Sequence, residues 1–200
     1  MRKTYFMRVY DIIIYLFLFA ILTVMFSKLF DLLNIAISQI DIIDMRNVTH
    51  YITVISNGLY QLTFYLLGLA LILMVIDLII RLLKDQITNH IKSVYHTMVL
   101  RYYLKQDIDT TSSKDWQQTG ETKTNAVERY FNKVVGKSIV DVRQNEVRLA
   151  IKIPRKQQAH EILKTIEPQI HEEITHMHPN YYFSASQRHH RYLWFIGHKR

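Results

Sequence analysis

Hydrophobic positions follow three rhythms along this chain, and each predicts a different kind of element. The first is an unbroken run. From Leu59 to Ile80 there are 22 residues with one charge, Asp77. At about 1.5 Å of rise per residue, such a helix is roughly 33 Å long, enough to cross a hydrocarbon core of about 30 Å. With no water there to satisfy backbone groups, a single span must be helical. An earlier run, Ile12 to Phe26, is apolar apart from Tyr15 and Thr23, and continues through Leu29, Phe30, Leu32 and Leu33. It predicts a first span from Ile12 to about Leu33, with Lys28 and Asp31 snorkelling to its outer interface. A basic start before an apolar run also has the form of a signal peptide, but Ser27-Lys28-Leu29 is not a small-x-small cleavage site. The pattern through Ile35, Ala36, Ile37, Ile40 and Ile43 extends this helix past the membrane. Residues 44–58, with His50 and the acceptor-like triplet Asn47-Val48-Thr49, read as the connection.

The second rhythm is helical. Leu83, Ile87, Ile91, Val94, Met98 and Tyr102 recur every three or four residues, close to a heptad seam, with Lys84, Lys92, Arg101 and Lys105 elsewhere around the helix. Residues 82–105 therefore read as a helical continuation of the second span. It is either a stalk whose seam joins copies into an oligomer, or a cationic helix lying on anionic lipid. Residues 106–122, polar and rich in Ser and Thr, read as a linker in which Trp116 is the only large aromatic side chain.

The third rhythm mixes periods. Ala126, Val127, Tyr130, Phe131, Val134 and Val135 fit an amphipathic helix closed by Gly136. Ser138 to Arg143 reads as a strand, Gln144-Asn145 as a two-residue turn. Val147, Leu149, Ile151 and Ile153 alternate with Glu146, Arg148, Ala150 and Lys152 in a second strand that Pro154 stops. Ala159, Ile162, Leu163, Ile166, Ile170 and Ile174 share a helix face, which Pro168 should kink or split near Lys164. Asn180 to Ser186 and Arg191 to Gly197 read as two more strands separated by Gln187-Arg188-His189-His190. The fold class is thus a two-helix transmembrane protein with a small α+β domain, order α-β-β-α-β-β, its sheet antiparallel with helices on one face. The expected divisions are 1–58 (first span and outer loop), 59–105 (second span and juxtamembrane helix), 106–122 (linker) and 123–200 (domain).

Charge sharpens this picture. Of 25 Lys/Arg and 17 Asp/Glu, residues 1–80 hold five of each, so the whole net charge of +8 lies in residues 81–200. Such a field favours anionic partners, lipid headgroups or nucleic-acid phosphates. Arg2, Lys3 and Arg8 precede the first span and Arg81, Lys84 and Lys92 follow the second, while the connection has only Lys28 and Arg46. The positive-inside rule puts both termini in the cytoplasm. Asp77, one turn from Arg81, reads as an interfacial carboxylate paired at i+4; the sharper alternative is an ion or proton site in the membrane.

Candidate chemistry is sparse. Absence of cysteine removes disulfides, thiolate nucleophiles and Cys-based zinc sites. Gly136-Lys137-Ser138 resembles half a P-loop, but Phe131 stands where the other glycine belongs and the strand–loop–helix order is reversed. His171, His176 and His178 are not spaced for one helix face and read as a solvated helix end. No triad or carboxylate pair stands out, and neither an enzyme activity nor a cofactor is expected. Arg188, His189, His190, Arg191, Lys199 and Arg200, with Tyr192 and Trp194 between them, are the candidates for contact with nucleic acid or phosphate. The competing reading puts Tyr192, Trp194 and Ile196 in the core, with the cations solvating a sheet edge.

The layout resembles the N-terminal region of FtsK/TcpA-type conjugation ATPases, the coupling proteins of Gram-positive plasmids and integrative elements. The matching stretches are Leu59 to Arg81, Arg101-Tyr102-Tyr103-Leu104-Lys105, and Tyr130-Phe131-Asn132-Lys133-Val134-Val135 through Val147 to Ile153 and the final hairpin. That region has two spans, a basic juxtamembrane helix and a small α+β domain, followed by the motor. No Walker A or B sequence occurs here, so the resemblance implies a membrane module without ATP hydrolysis of its own. The function expected is a non-enzymatic, cell-membrane component of a DNA-transfer (conjugation) or related secretion assembly. Its partners would be membrane lipids, further copies of itself, a motor ATPase or transfer-channel subunits, and DNA. Alternatives are a membrane-anchored adaptor that binds only protein or lipid, and a small channel or transporter subunit using Asp77.

Overall fold

A computed structural model describes residues 2–38, 46–106 and 119–200. The chain forms two compact units, one of Arg8–Ile79 and one of Met1–Met7 with Ile80–Arg200.

The first unit is built from α1 (Tyr5–Ser38) and α2 (Arg46–Lys84), both long and apolar enough to cross a membrane. Residues 46–58, expected as a connection, are the opening turns of α2. Sequence pattern missed them because Tyr51, Ile52, Val54 and Ile55 are interleaved with polar residues. The two helices meet along a ladder of small polar groups. Thr23 and Thr63 hydroxyls lie 2.9 Å apart, Ser27 and Ser56 hydroxyls 3.1 Å apart, and Asn34 Nδ2 donates to Thr53 Oγ1 at 3.0 Å. Ala20 and Ala70 are buried within the same pair of helices. Small side chains let two backbones approach, and hydroxyls satisfy one another where water is absent. Leu18, Ile21, Met25, Leu71 and Ile72 point outward and are exposed.

The second unit is the α+β domain. It contains α3 (Ile87–Tyr103), α4 (Thr119–Val135), β1 (Ile139–Val142), β2 (Glu146–Lys152), α5 (Gln157–Met177), β3 (Tyr181–Phe183), β4 (Gln187–His189) and β5 (Tyr192–Lys199). All strand pairs are antiparallel; the order is β1-β2-β5-β3, with β4 also on β5. The stripe of α5 (Ala159, Leu163, Ile170, Ile174) and Phe131 and Val135 of α4 pack with Val140, Val147, Leu149, Ile151, Phe183 and Phe195 in one core.

Three expectations change. First, the domain order is α-β-β-α-β-β-β after α3. Residues Gln187–His189, expected as a connector, pair with Trp194, Leu193 and Tyr192. Their polar run carries no apolar alternation, which hid the strand. The turn is His190–Arg191, with His190 at φ 55°, a left-handed conformation that histidine tolerates at a tight turn. Secondly, α5 is one continuous helix despite Pro168. Pro168 is exposed, so the lost backbone bond faces solvent, while Leu163 and Ile170 are buried on either side of it. Thirdly, the helix after the span is interrupted at Asp85-Gln86. There the Asp85 carboxylate accepts from Asn89 Nδ2 at 2.8 Å and from the Gln144 backbone N–H at 3.0 Å. Leu100 and Leu104 join the domain core, so α3 is part of this unit. The expected turn Gln144-Asn145 is present, closed by Arg143 N–H to Glu146 O at 2.8 Å. Residues 39–45 and 107–118, with Trp116 and most of the expected linker, lie outside the described residues.

The face of α3 toward β1 is polar: Asn89, Ser93 and Thr97 are buried. Asn89 bonds Asp85, and Ser93 and Thr97 complete the open edge of β1. The Val140 N–H donates to Thr97 Oγ1 at 3.0 Å, and Thr97 Oγ1 donates back to Val140 O at 3.1 Å. The Val142 N–H donates to Ser93 Oγ at 2.9 Å, and Arg101 Nε donates to Ser138 O at 2.8 Å. An edge strand's unpaired groups are a template for unwanted pairing; here a helix takes them up.

Candidate functional site

Four cations of the domain come together where β2 ends. The register pairs Lys152 with Tyr192, and the Ile153 N–H donates to Arg191 O at 2.9 Å. Pro154 then ends the ladder, leaving Arg155 beside the His190–Arg191 turn. Helix α5 starts two residues later and presents His160 and Lys164, one turn apart, to the same space. The result is a pair of adjoining clefts of roughly 320 and 400 Å³. Arg155, His160, Lys164, Arg188, His190 and Arg191 line them, over an apolar floor of Ile153, Leu163 and Leu193. Among the described residues lining these clefts the single acid is Glu167, hydrogen-bonded to the Ser186 hydroxyl. Arg155 is set in place by its backbone N–H, which donates to Tyr130 Oη at 3.3 Å. Four permanent cations around one occupied carboxylate make a site for an anion with several charges.

Of the sequence candidates, Arg188, His190 and Arg191 belong to this cleft. His189 lies beside them in β4, its ring stacked on His190 at 4.3 Å. Lys199 and Arg200 do not belong to it. They sit at the other end of β5, about 24 Å away at 3.3–3.4 Å per residue. Base stacking on Trp194 is not available, because that ring is buried with 3% of its surface exposed. Sequence spacing does not single out Arg155, His160 or Lys164; the antiparallel return of β5 along β2 is the step that brings them to the hairpin.

Arg81 lies elsewhere. It is 5% exposed, and its guanidinium donates to Asp141 Oδ1 at 2.7 Å and to Val142 O at 3.3 Å. It also stands 3.9 Å from Asp85 and 4.8 Å over the Phe6 ring. Asp141, fully buried, accepts a second bond from Arg143 Nε at 3.1 Å. The sequence pointed to Arg81 as a charge flanking the second span and for its i+4 relation to Asp77, itself a buried residue of α2, and not as a member of a buried domain cluster. The expected seam divides: Leu83, Ile87, Ile91, Met98 and Tyr102 are exposed and Val94 is partly covered.

Of the histidines at the end of α5, His176 is exposed as expected and His171 is partly covered, but His178 is not solvated. His178 is buried, its ring 4.4 Å from that of His96, 6.0 Å from Tyr181 and 6.1 Å from Phe183. Burial, then the charges of His96 and Lys92, push His178 down to about 4. Burial and Lys92 lower His96 as well. Among the described residues no group of three His, Asp or Glu side chains is placed to hold a metal ion. No protein-family model, curated protein or solved structure matches this chain.

Proposed function

We propose that this protein is a non-enzymatic, membrane-anchored component of a DNA-transfer or related secretion assembly, and that its α+β domain contacts the phosphate backbone of DNA at the cytoplasmic membrane face. The observation that carries this reading is the cleft: four cations and two histidines around one engaged acid, in a domain that begins in the last turn of a long apolar helix. The lining offers charge and imidazoles without a Phe, Tyr or Trp ring, which suits phosphates better than base readout. A cytoplasmic position for both termini is supported by the charge bias around the two apolar helices and by the membership of Met1–Met7 in the domain unit. Within that unit Lys3 Nζ lies 3.9 Å over the Tyr192 ring. A motor ATPase or transfer-channel subunits, and further copies of this chain, are the protein partners of the reading.

The test is DNA binding by the full chain in nanodiscs, followed by fluorescence anisotropy as salt is varied. Binding at low ionic strength that weakens steeply with salt is expected, with a log–log slope of about −0.9 per phosphate neutralised on duplex DNA. No binding at low salt would remove direct DNA contact. It would leave the second reading, an adaptor whose cleft takes an acidic protein segment, which the same cationic lining suits.

A further inference from the structure

We propose that α3 lies in the headgroup–acyl boundary of a bilayer, with its outer apolar face inserted. The inner face of α3 is spent on β1 through Ser93 and Thr97, so the helix cannot roll its apolar side into the domain. On the other side Ile87, Ile91, Tyr95, Met98 and Tyr102 form a stripe, 45% to 82% exposed. A stripe of that size on a settled domain marks an occupant.

Three features select lipid over a second copy. The stripe starts three residues after α2 ends and extends the exposed Leu82 and Leu83 of that helix, so along the chain it directly follows the segment long and apolar enough to span. Its composition is that of an interface, two tyrosines alternating with aliphatic side chains. Its rim is cationic: α3 contains no Asp or Glu, and Lys92 and the adjoining Lys105 are exposed. Self-pairing through this face would set like charges side by side with no acid on the helix itself to offset them, the nearest being Glu172 and Glu173 of α5 towards its Tyr103 end, whereas anionic headgroups complement them.

The chain has no cysteine, which makes the test direct. Ile91→Cys and, separately, Met98→Cys in the full chain would carry an environment-sensitive fluorophore. Each would be placed in nanodiscs of phosphatidylcholine and phosphatidylglycerol at one copy per disc. Gln187→Cys on exposed β4 is the control. Doxyl-labelled lipid should remove most of the emission at positions 91 and 98 and little at 187, and aqueous iodide should do the reverse. Iodide quenching at 91 and 98 would overturn the proposal. So would emission that is shielded from both quenchers only when several copies share a disc, with disulfide cross-linking of unlabelled Ile91→Cys chains to one another; that result would assign the face to a second copy.

Discussion

Arg81 and Asp141 form the most consequential pair of side chains in the domain. Both are buried, and their 2.7 Å contact is joined by Arg143, Asp85 and the Val142 carbonyl. Taking charges out of water is costly, so such a pair adds little over an apolar replacement, but removal of one partner leaves a buried charge with only Arg143 or Asp85 beside it, at a cost approaching about 3–5 kcal/mol. Arg81→Ala and Asp141→Ala should each lower unfolding stability by that order in denaturant titrations of the full chain in detergent. The double substitution should cost less than the sum, because neither charge is then left alone. The His96–His178 contact gives a second residue-scale outcome. A base held down to about 4 when folded, against an ordinary value near 6.5, binds its proton in the unfolded chain first. Stability from this group is complete above about pH 6.5 and is lost as pH falls towards 4, at up to about 1.4 kcal/mol per pH unit. His178→Gln should flatten the acid limb of a plot of melting temperature against pH; an unchanged limb would show that other groups set it.

At the scale of elements, α3 does two jobs with two faces. Its hydroxyls complete the edge of β1, and a buried N–H left without a partner costs about 1–3 kcal/mol. Ser93→Ala and Thr97→Ala should each destabilise the chain by that amount, while Ile91→Ser on the exposed face should leave unfolding within about 0.5 kcal/mol of the parent in detergent. Equal losses at all three positions would mean that the outer face is packed on protein. The seam residues of α3 were visible in the sequence because aliphatic spacing alone reveals them. The polar face was not, because Ser93 and Thr97 look like solvated positions until the edge of β1 is known to need donors and acceptors. The same blindness hid the Thr23, Ser27, Ser56 and Thr63 ladder between α1 and α2, where polar groups inside apolar runs mark the packed side. β2 and α5 were readable because their apolar alternation or helical stripe is uninterrupted, Pro168 notwithstanding, and β1 because Ile139, Val140 and Val142 are β-branched. β4 was not, since three polar residues carry no period.

For the whole molecule, the cleft depends on topology more than on any local motif. Arg188, His190 and Arg191 were candidates because they cluster in sequence; Lys199 and Arg200 were grouped with them for the same reason and lie at the opposite end of β5. Arg155, His160 and Lys164 reach the cleft only through the β2–β5 register and the path of α5. If the domain contacts phosphates, the contact belongs to the cleft and not to the far end of β5, and one comparison of variants tests that placement most directly. Lys164→Ala/Arg188→Ala/Arg191→Ala and Lys199→Ala/Arg200→Ala variants of the full chain in nanodiscs would be titrated with duplex DNA across a range of salt. The cleft variant should bind more weakly and lose slope, by about 0.9 for each contact removed, while the distal variant keeps the parent slope. Equal effects of the two variants, or an unaltered slope in the cleft variant, would contradict the account.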